Sequence, residues 1–578
     1  MVKRGRVLAA ALSVVSGLAM AGPAPAGAAP AGAAPTTGPV AYTVLLAEDG
    51  RHDAALAAIR AAQGTVLREN RALGLVVAES SAADFAERVV VPGVLGAARS
   101  RALSRSGGSV GRDLGVGATV ADVTGYSPAG PSRAGAVTAA VGMDPLDAKL
   151  WGLRMVRADK ARERQPGDHR VRVGVIDSGI DATHRDLATN VDLAASRNFV
   201  ADIPNDVNGV VIDGPCEFAG CVDPPGHDDY GHGTHVAGTI AAAANGSGTS
   251  GVAPGVTLVD IRATQDSGWT FLQPFLDALT YGADIGLNVI NLPFYIDPWL
   301  YNCPDNPADT PAQQLEQRIT IEAVNRALDY AHRKGVTLIS PIGFAHDDLG
   351  HPNPDTLSPT FPANSAYTRQ IDGASCAAMP IEGRHVIGVS GLGPSEGKAD
   401  YSNYGLPEVE LGGPGGFRKD GLGTPSFDAR ENQILSTYSR AAATGKGWLT
   451  PEGDITPLGD AQGMLKDCTQ DGTCSFFRWA ESTSRAAPHV SGAAALVISQ
   501  YGIKNRGGGR ISMNPASVRH VLLTSARRHP CPTPRLVSYA GIGRPPAYDA
   551  YCEGTEWHNG FYGYGIVDAY AAVTRRHP

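Results

Sequence analysis

From residue 149 onwards, short runs of branched apolar residues alternate with longer stretches whose apolar residues recur every three to four positions. The first pattern indicates a strand and the second an amphipathic helix. Strands that alternate with helices favour a parallel sheet covered by helices, because each parallel connection needs a long crossover. In such sheets, sites lie at the carboxyl ends of the strands. The predicted strands are 171–176, 251–261, 289–292, 336–339 and 386–389, and the predicted helices are 232–244, 271–285 and 315–333.

Three short motifs place an Asp, a His and a Ser in that chain order. They are VGVIDSG around Asp177, GHGTHVAG around His232 and TSRAAPHVSG around Ser484. A serine hydroxyl is a weak nucleophile until a base takes its proton, and a carboxylate can orient that base. Taken singly, the three residues are typical of a turn cap, a core histidine and a helix cap. Taken together, they predict a catalytic triad.

With these motifs in this order, the chain resembles a subtilisin-like serine peptidase, in particular the secreted bacterial kind with a pro-region. The subtilisin triad runs Asp, His, Ser along the chain. His184 and the pair Asp186-Leu187 add the family's His-x-Asp-Leu spacing. The resemblance covers about residues 150 to 572. It implies an α/β, parallel-sheet catalytic domain that hydrolyses peptide bonds through an acyl-enzyme.

The resemblance breaks where the oxyanion is expected to bind. The family carries a Gly-Asn pair after the strand matched here by 336–339, and its Asn donates to the oxyanion. The Asn position here is Phe344, which has no donor. Loss of one such donor lowers kcat by roughly 10²–10³. Near the serine, Ser482 replaces a Gly and Arg485 replaces a Met, and a β-carbon at 482 is expected to disturb the turn.

These departures leave several interpretations open. The enzyme works slowly on the remaining backbone donor, or His346 or Asn364 supplies a substitute donor, or the domain is a catalytically impaired, peptide-binding pseudopeptidase. A zinc hydrolase built on His232 and His235 is a further alternative, although no Glu follows His232 as in the His-Glu-x-x-His motif. The leading hypothesis is a secreted serine endopeptidase.

Substrate contacts are expected at Leu292, Pro293 and Phe294, where the family places an edge strand that pairs with the substrate backbone. The family usually has Ser and Gly there, and proline offers no N–H to such pairing. Specificity therefore does not follow from the resemblance. No cofactor is required by any motif. Acidic loops such as Asp347-Asp348 offer oxygen ligands for structural calcium, but no motif requires it.

Residues 1–33 have the form of a signal peptide. Lys3 and Arg4 precede an apolar run at 7–20. This run is too short to span a membrane, which needs about 20 residues, and small-residue cleavage sites follow it. We therefore expect a secreted protein with no membrane contact after signal removal. A net charge of -8 argues against a nucleic-acid partner. The expected partners are protein or peptide substrates, and the expected state is a monomer.

Residues 40–103 form a predicted small unit with the order strand, helix, strand, strand, helix, strand, which is the ferredoxin-like α+β order. It is similar to the family's inhibitory pro-domains, which implies an intramolecular inhibitor and chaperone. An unrelated adhesion or capping domain is the alternative. Residues 104–148, rich in small residues, predict a flexible linker before a peptidase domain at 149–578. The unit's expected strands are 42–46, 65–67, 75–78 and 89–91, and its expected helices are 54–62 and 81–87.

Eight cysteines in an exported chain predict disulfides. Eight cysteines allow 105 connectivities, and closeness in sequence favours one of them. Two pairs are adjacent along the chain, and elimination leaves the other two. The favoured pairs are Cys216–Cys221, Cys468–Cys474, Cys303–Cys376 and Cys531–Cys552.

Overall fold

The computed structural model describes residues 39–47, 52–101, 144–504 and 509–575. The predicted signal segment and most of the predicted linker lie outside these residues. A seven-stranded, wholly parallel sheet organises the larger part of the chain, which confirms the predicted α/β class. In spatial order its strands are Leu411–Pro414, Val386–Leu392, Thr337–Pro341, Val289–Asn291, Arg172–Asp177, Thr257–Arg262 and Arg197–Asn198.

Helices cover both faces of this sheet and divide its core into two clusters. Along the central strand, Val173 and Val175 belong to one cluster and Ile176 to the other, as alternation across a pleated sheet requires. The first cluster packs against His232–Ala241 and Thr483–Tyr501, and the second against Leu272–Asp284 and Pro311–Arg333. The remaining helices are His52–Ala61, Phe85–Arg88, Trp151–Met155, Ala158–Arg162, Arg440–Gly445, Pro457–Ala461, Pro515–Ser525 and Ala569–Thr574.

The helix Pro311–Arg333 begins upstream of its predicted start at 315. Its Thr310 cap accepts the backbone N–H of Gln313, while the Gln313 side chain accepts the backbone N–H of Thr310. This capping box, with Pro311 in the first turn, fixes the start before the apolar repeat from which the prediction was made.

Smaller strands complete the domain. Three of them form one sheet, in the order Ile434–Thr437, Cys474–Ala480 and Met464–Cys468. Two further pairs are Ile503–Lys504 with Ile511–Ser512 and Leu536–Val537 with Ala550–Tyr551.

The N-terminal described residues form a four-stranded antiparallel sheet with two helices. Its elements follow the predicted order along the chain. The last strand lies at Val94–Arg99, so the prediction of a strand at 89–91 was wrong, because Val89 continues the helical turn after Phe85–Arg88. In spatial order the strands are Gly64–Asn70, Leu75–Ser80, Val40–Leu46 and Val94–Arg99.

This small sheet packs on the helices Leu272–Asp284 and Pro311–Arg333. Leu45, Leu75 and Ala98 belong to the same apolar cluster as those helices. Arg326 donates to the backbone oxygen of Leu46 at 2.8 Å, and Thr43 donates to Gln273 at 2.6 Å. Apolar burial and polar pairing therefore both fasten the small unit to the larger domain.

Residues 144–148, which the sequence assigned to the flexible linker, are folded. Asp147 is fully buried and accepts the backbone N–H of Ser250 at 2.8 Å. Asp144 accepts the backbone N–H of Gly246 at 2.8 Å. The folded domain therefore includes residues upstream of 149. The sequence before Asp144 is rich in small residues, so a prediction from composition placed the start of the folded domain too late.

All four favoured disulfides are present: Cys216–Cys221, Cys303–Cys376, Cys468–Cys474 and Cys531–Cys552.

Among the residues that the structure describes, no helix combines the length and the apolar character that a membrane crossing demands.

Candidate active site

Asp177 ends the central strand Arg172–Asp177 at the carboxyl edge of the sheet, where a parallel sheet is expected to place a site. Its carboxylate is buried, and each oxygen lies 2.9 Å from Nδ1 of His232. The backbone N–H of Ser178 donates to Oδ1 at 2.7 Å. A carboxylate held in this way fixes the ring orientation of the histidine and the position of its Nδ1 proton.

His232 is the first residue of the helix His232–Ala241, and glycines on both sides let it approach Asp177. Gly231 has a φ of 85°, in the left-handed region that favours glycine. A β-carbon there would collide with the ring of Tyr438, and a β-carbon on Gly233 would collide with the backbone oxygen of Gly179. Close packing therefore requires a glycine on each side of His232.

Asp228 is a buried positioning residue that was not predicted from the sequence. It accepts the backbone N–H groups of Gly231 and Thr234, at 2.7 and 3.0 Å, and the hydroxyl of Ser178 at 2.9 Å. It thereby ties the start of the histidine helix to the residue that follows Asp177. Burial raises the pKa of its carboxyl. The one signal in the sequence was an acidic residue just before a helix N-terminus.

Ser484 lies in the first turn of the helix Thr483–Tyr501 and is 6% exposed. Its hydroxyl donates to the backbone oxygen of Pro293 at 3.4 Å and lies 3.2 Å from the hydroxyl of Ser482. Among the hydrogen bonds of the described residues, none joins Ser484 to His232. The hydroxyl of Ser484 is therefore turned toward Pro293 and Ser482.

The expected oxyanion donors are both altered. Phe344 is 57% exposed and contributes no donor. The backbone N–H of Ser484 donates to the hydroxyl of Ser482 at 3.2 Å. Ser482 itself has a φ of 176°, extended backbone that any residue adopts, so the expected disturbance of the turn is wrong. The side chain at 482 acts instead through its hydroxyl, which occupies the donor that an oxyanion would use.

The two candidates for a substitute donor have other neighbours. The ring of His346 packs edge-on against Tyr548 with centroids 3.8 Å apart, and burial lowers its pKa. Asn364 has a φ of 63° in a loop that follows Pro362. Neither side chain hydrogen-bonds to Asp177, His232 or Ser484 in the described part of the chain.

Arg485, immediately after the serine, is a buried cation beside His232. It is 5% exposed, and its Nη1 donates to the backbone oxygen of His232 at 3.4 Å. Its Nε is buried without a hydrogen-bond partner among the described residues. Burial, aided by Arg478, lowers the pKa of Arg485 to about 10. The motif marks this residue as a departure from the family, but nothing in the sequence indicates its position beside His232.

His235 and His489 are held inside the domain by backbone carbonyls. Nε2 of His235 lies 3.1 Å from the oxygen of Arg478, and Nδ1 of His489 lies 2.8 Å from the oxygen of Arg485. Burial lowers the pKa of both, for His489 to about 4. Because His232 is turned to Asp177 and His235 to the backbone, the pair does not converge on a common ligand position.

Of the three predicted substrate residues, Pro293 contacts the serine. Leu292 is fully buried and donates its backbone N–H to Ile339 at 2.9 Å, while Phe294 packs against Phe275. The described residues do not form the expected edge strand. Val289–Asn291 is paired on both sides within the sheet, and 293–295 lie in no strand.

The described residues contain two groups of three acidic side chains whose oxygens lie within 4.8 Å of one another: Asp202, Glu217 and Asp266, and Asp223, Asp229 and Asp266. The loop Asp347-Asp348, named from the sequence, is in neither group. Asp347 accepts one hydrogen bond at each carboxylate oxygen, from Tyr301 at 3.0 Å and from Asn353 at 2.8 Å.

Comparison with known proteins gives one consistent result. The subtilase family model, Peptidase S8, matches residues 168–565. Subtilisin DY from Bacillus licheniformis is 24% identical over 351 residues, which are 61% of this chain and 85% of that protein. The epidermin leader peptide-processing serine protease of Staphylococcus epidermidis is 23% identical over 372 residues, which are 63% of this chain and 68% of that protein.

Solved structures show the same fold. The crystal structure of the epidermin leader peptide processing serine protease from Staphylococcus aureus covers 93% of this chain and 100% of its own, with a TM-score of 0.56 at 17% identity. Fervidolysin from Fervidobacterium pennivorans covers 94% of this chain and 62% of its own, with a TM-score of 0.51 at 19% identity. The family model matches most of the chain, around the three motifs and the strand that ends at Asp177. The chain therefore belongs to the subtilase family of serine proteases.

Proposed function

We propose that this protein is a secreted serine endopeptidase in which Ser484 attacks the scissile carbonyl, His232 moves the proton and Asp177 holds His232. The observation that carries this proposal is the contact of His232 Nδ1 with both oxygens of Asp177, at 2.9 Å each. With its Nδ1 proton on the Asp177 side, the imidazole offers Nε2 as the acceptor for the serine proton.

The acyl-enzyme forms in two steps, attack on the carbonyl and loss of the amine. Ser484 Oγ bonds to the carbonyl carbon as its proton passes to His232, and the C–N bond then breaks as His232 returns that proton to the leaving amine. Water repeats the sequence to release the acid. Each step uses groups of this chain and water.

In this proposal, the hydrogen bonds that Ser484 makes without substrate have to break before it attacks, and this lowers kcat. The hydroxyl has to leave Pro293, and its N–H has to exchange Ser482 for the oxyanion. With Phe344 in the Asn position, the backbone N–H is the donor that remains from the family pair. A single missing donor accounts for a loss of roughly 10²–10³ in kcat. We therefore expect a slow protease.

The small N-terminal unit is proposed to be an inhibitory pro-domain and folding chaperone. Its last described residue, Arg101, has its guanidinium 6.0 Å from the ring centre of Phe271 and 5.8 Å from that of Phe361. Phe271 precedes the helix Leu272–Asp284, which follows the strand Thr257–Arg262, so it lies at the same sheet edge as Asp177. A chain that leaves the small unit at Arg101 therefore starts at the edge that carries the site.

The test is protein hydrolysis by the secreted chain after release of the segment before residue 144. We expect cleavage of a denatured protein substrate, lost in Ser484→Ala and retained in Ser499→Ala. Ser499 is a matched control, because it lies on the same helix and donates to the backbone oxygen of Ala495. Equal substrate binding by the unaltered protein and Ser484→Ala, with no cleavage by either, would instead identify a peptide-binding pseudopeptidase.

A further inference from the structure

Three cations lie together on the His232 side of the site, and we call Lys446, Arg478 and Arg485 the cationic cluster. Lys446 Nζ lies 4.4 Å from the ring centre of Tyr230, whose ring centre is 6.2 Å from that of His232. The guanidinium of Arg478 lies 4.7 Å from the ring centre of Trp448. Arg485 contacts the backbone of His232 directly. One aromatic ring therefore separates Lys446 from the proposed catalytic base.

Within the described residues, no member of the cationic cluster has a carboxylate within ion-pair distance. Lys446 donates to the backbone oxygen of Tyr230, and Arg478 donates through Nε to that of Gln462 at 3.0 Å. Buried arginines elsewhere differ sharply. Arg262 pairs with three aspartates, and Arg369 pairs with two.

The two carboxylates that position His232 and its helix are already engaged. Asp177 holds His232, and Asp228 accepts from Ser178, Gly231 and Thr234. Burial and the charge of Arg478 lower the pKa of Lys446 to about 8, although the charge of Asp228 opposes them. Burial and Arg478 also lower the pKa of Arg485, against the opposing charge of Asp177. The cluster thus holds positive charge that has no direct ion-pair partner among the described residues, in a place where an anion would relieve the repulsion between its cations.

We propose that the cationic cluster selects substrates with an acidic side chain close to the scissile bond, on the His232 side of the site. Lys446 and Arg478 are half-buried and present the donors, and Arg485 is buried beside His232 and adds its positive charge. Aromatic rings pack against both donors. Tyr230 contacts Lys446, and Tyr438 and Trp448 contact Arg478. Partial removal from water strengthens a charge-assisted hydrogen bond between guanidinium or ammonium and a substrate carboxylate. This inference rests on the proposed function, because it names the substrate class of the same site.

The test uses paired peptide libraries, identical except that Glu is replaced by Gln at one position at a time on either side of the cut. For the unaltered protein we expect kcat/KM to be about tenfold or more higher with Glu at one position, and the ratio to shrink at high salt. Lys446→Gln and Arg478→Gln should each bring the Glu/Gln ratio close to one.

Lys419→Gln and Arg535→Gln are the matched controls, because both cations also donate to backbone carbonyls and are outside the cluster. They should keep the full preference. A second arm measures binding of the same peptides to Ser484→Ala, so the proposal stands or falls even if the protein does not cleave. A Glu preference in binding without turnover would refute the proposed catalysis and support the cluster. Equal binding and turnover of Glu and Gln peptides, or a preference that survives both cluster variants, would overturn the inference.

Discussion

Replacing Phe344 by Asn is expected to raise kcat, and the structure bounds the size of the gain. Phe344 is 57% exposed, so its loss removes little of the core. The free energy of unfolding should change by no more than about 0.5 kcal/mol, as is usual for a surface substitution. The backbone oxygen of the preceding residue, Gly343, accepts the hydroxyl of Thr483 at 3.0 Å, which ties position 344 to the start of the serine helix. We therefore expect an Asn side chain at 344 to come within reach of an oxyanion at Ser484.

The ceiling of the gain is the contribution of one oxyanion donor, roughly 10²–10³ in kcat. An exposed side chain has to be ordered before it donates, which lowers the expected gain to about tenfold or more. The donor acts in the transition state, so kcat should rise while KM changes little. Initial rates on a peptide amide, normalised to active sites, measure both constants.

Two controls separate the donor from the loss of the ring. Phe344→Ala removes the ring without adding a donor, and Phe344→Asp has the shape of Asn without its N–H groups. If Ala raises kcat as much as Asn does, the ring blocks the site and the inference from the missing donor is refuted. If Asn gives no gain over the unaltered protein, position 344 does not face the oxyanion.

Four further outcomes are expected. Ser482→Ala should free the backbone N–H of Ser484 and raise kcat by about two- to tenfold, the contribution of one neutral hydrogen bond, as read from single-turnover rates. Asp177→Asn should lower kcat by about 10⁴ with its fold retained, as judged by steady-state rates and circular dichroism. His489 has a folded pKa of about 4, below its unfolded value, so its contribution to stability is present at pH 7 and is lost as pH falls. The stability advantage of the unaltered protein over His489→Asn, measured by urea unfolding, should therefore be smaller at pH 5 than at pH 7, by on the order of 2 kcal/mol. Arg326→Ala removes a donor to the small unit, so hydrogen exchange in Val40–Leu46 should speed up while Val386–Leu392 stays unchanged.

The sequence predicted the elements that depend on local pattern. Branched apolar runs located five of the seven parallel strands, although the strand predicted at 251–261 begins only at Thr257, and the edge strands Leu411–Pro414 and Arg197–Asn198 were not predicted. The contact between Asp177 and His232 follows from a strand end meeting a glycine-flanked helix start. Closeness along the chain indicated two of the disulfides, and elimination gave the other two. These features depend on periodicity, on glycine's freedom and on sequence separation, all of which are visible in one dimension.

Other features depend on residues that only folding brings together. Lys446 is far in sequence from Tyr230 and from the two arginines of the cationic cluster, so no motif signals the cluster. The hydroxymethyl side chain of Ser482 replaces a hydrogen atom of the family glycine, and whether its hydroxyl accepts the Ser484 N–H depends on the geometry of the turn. The last strand of the small unit was predicted at 89–91 because Val89 begins a run of branched apolar residues, which is typical of a strand. In the structure Val89 instead ends the helix Phe85–Arg88.

The most direct measurement is covalent labelling of the released peptidase by a fluorophosphonate, with the modified residue located by mass spectrometry. We predict a single adduct on Ser484, whose rate of formation falls steeply in His232→Ala and in Asp177→Asn. Labelling needs an activated hydroxyl and does not depend on finding the natural substrate. An unlabelled protein, or an adduct on Ser484 that forms at the same rate without His232, would contradict the proposed triad.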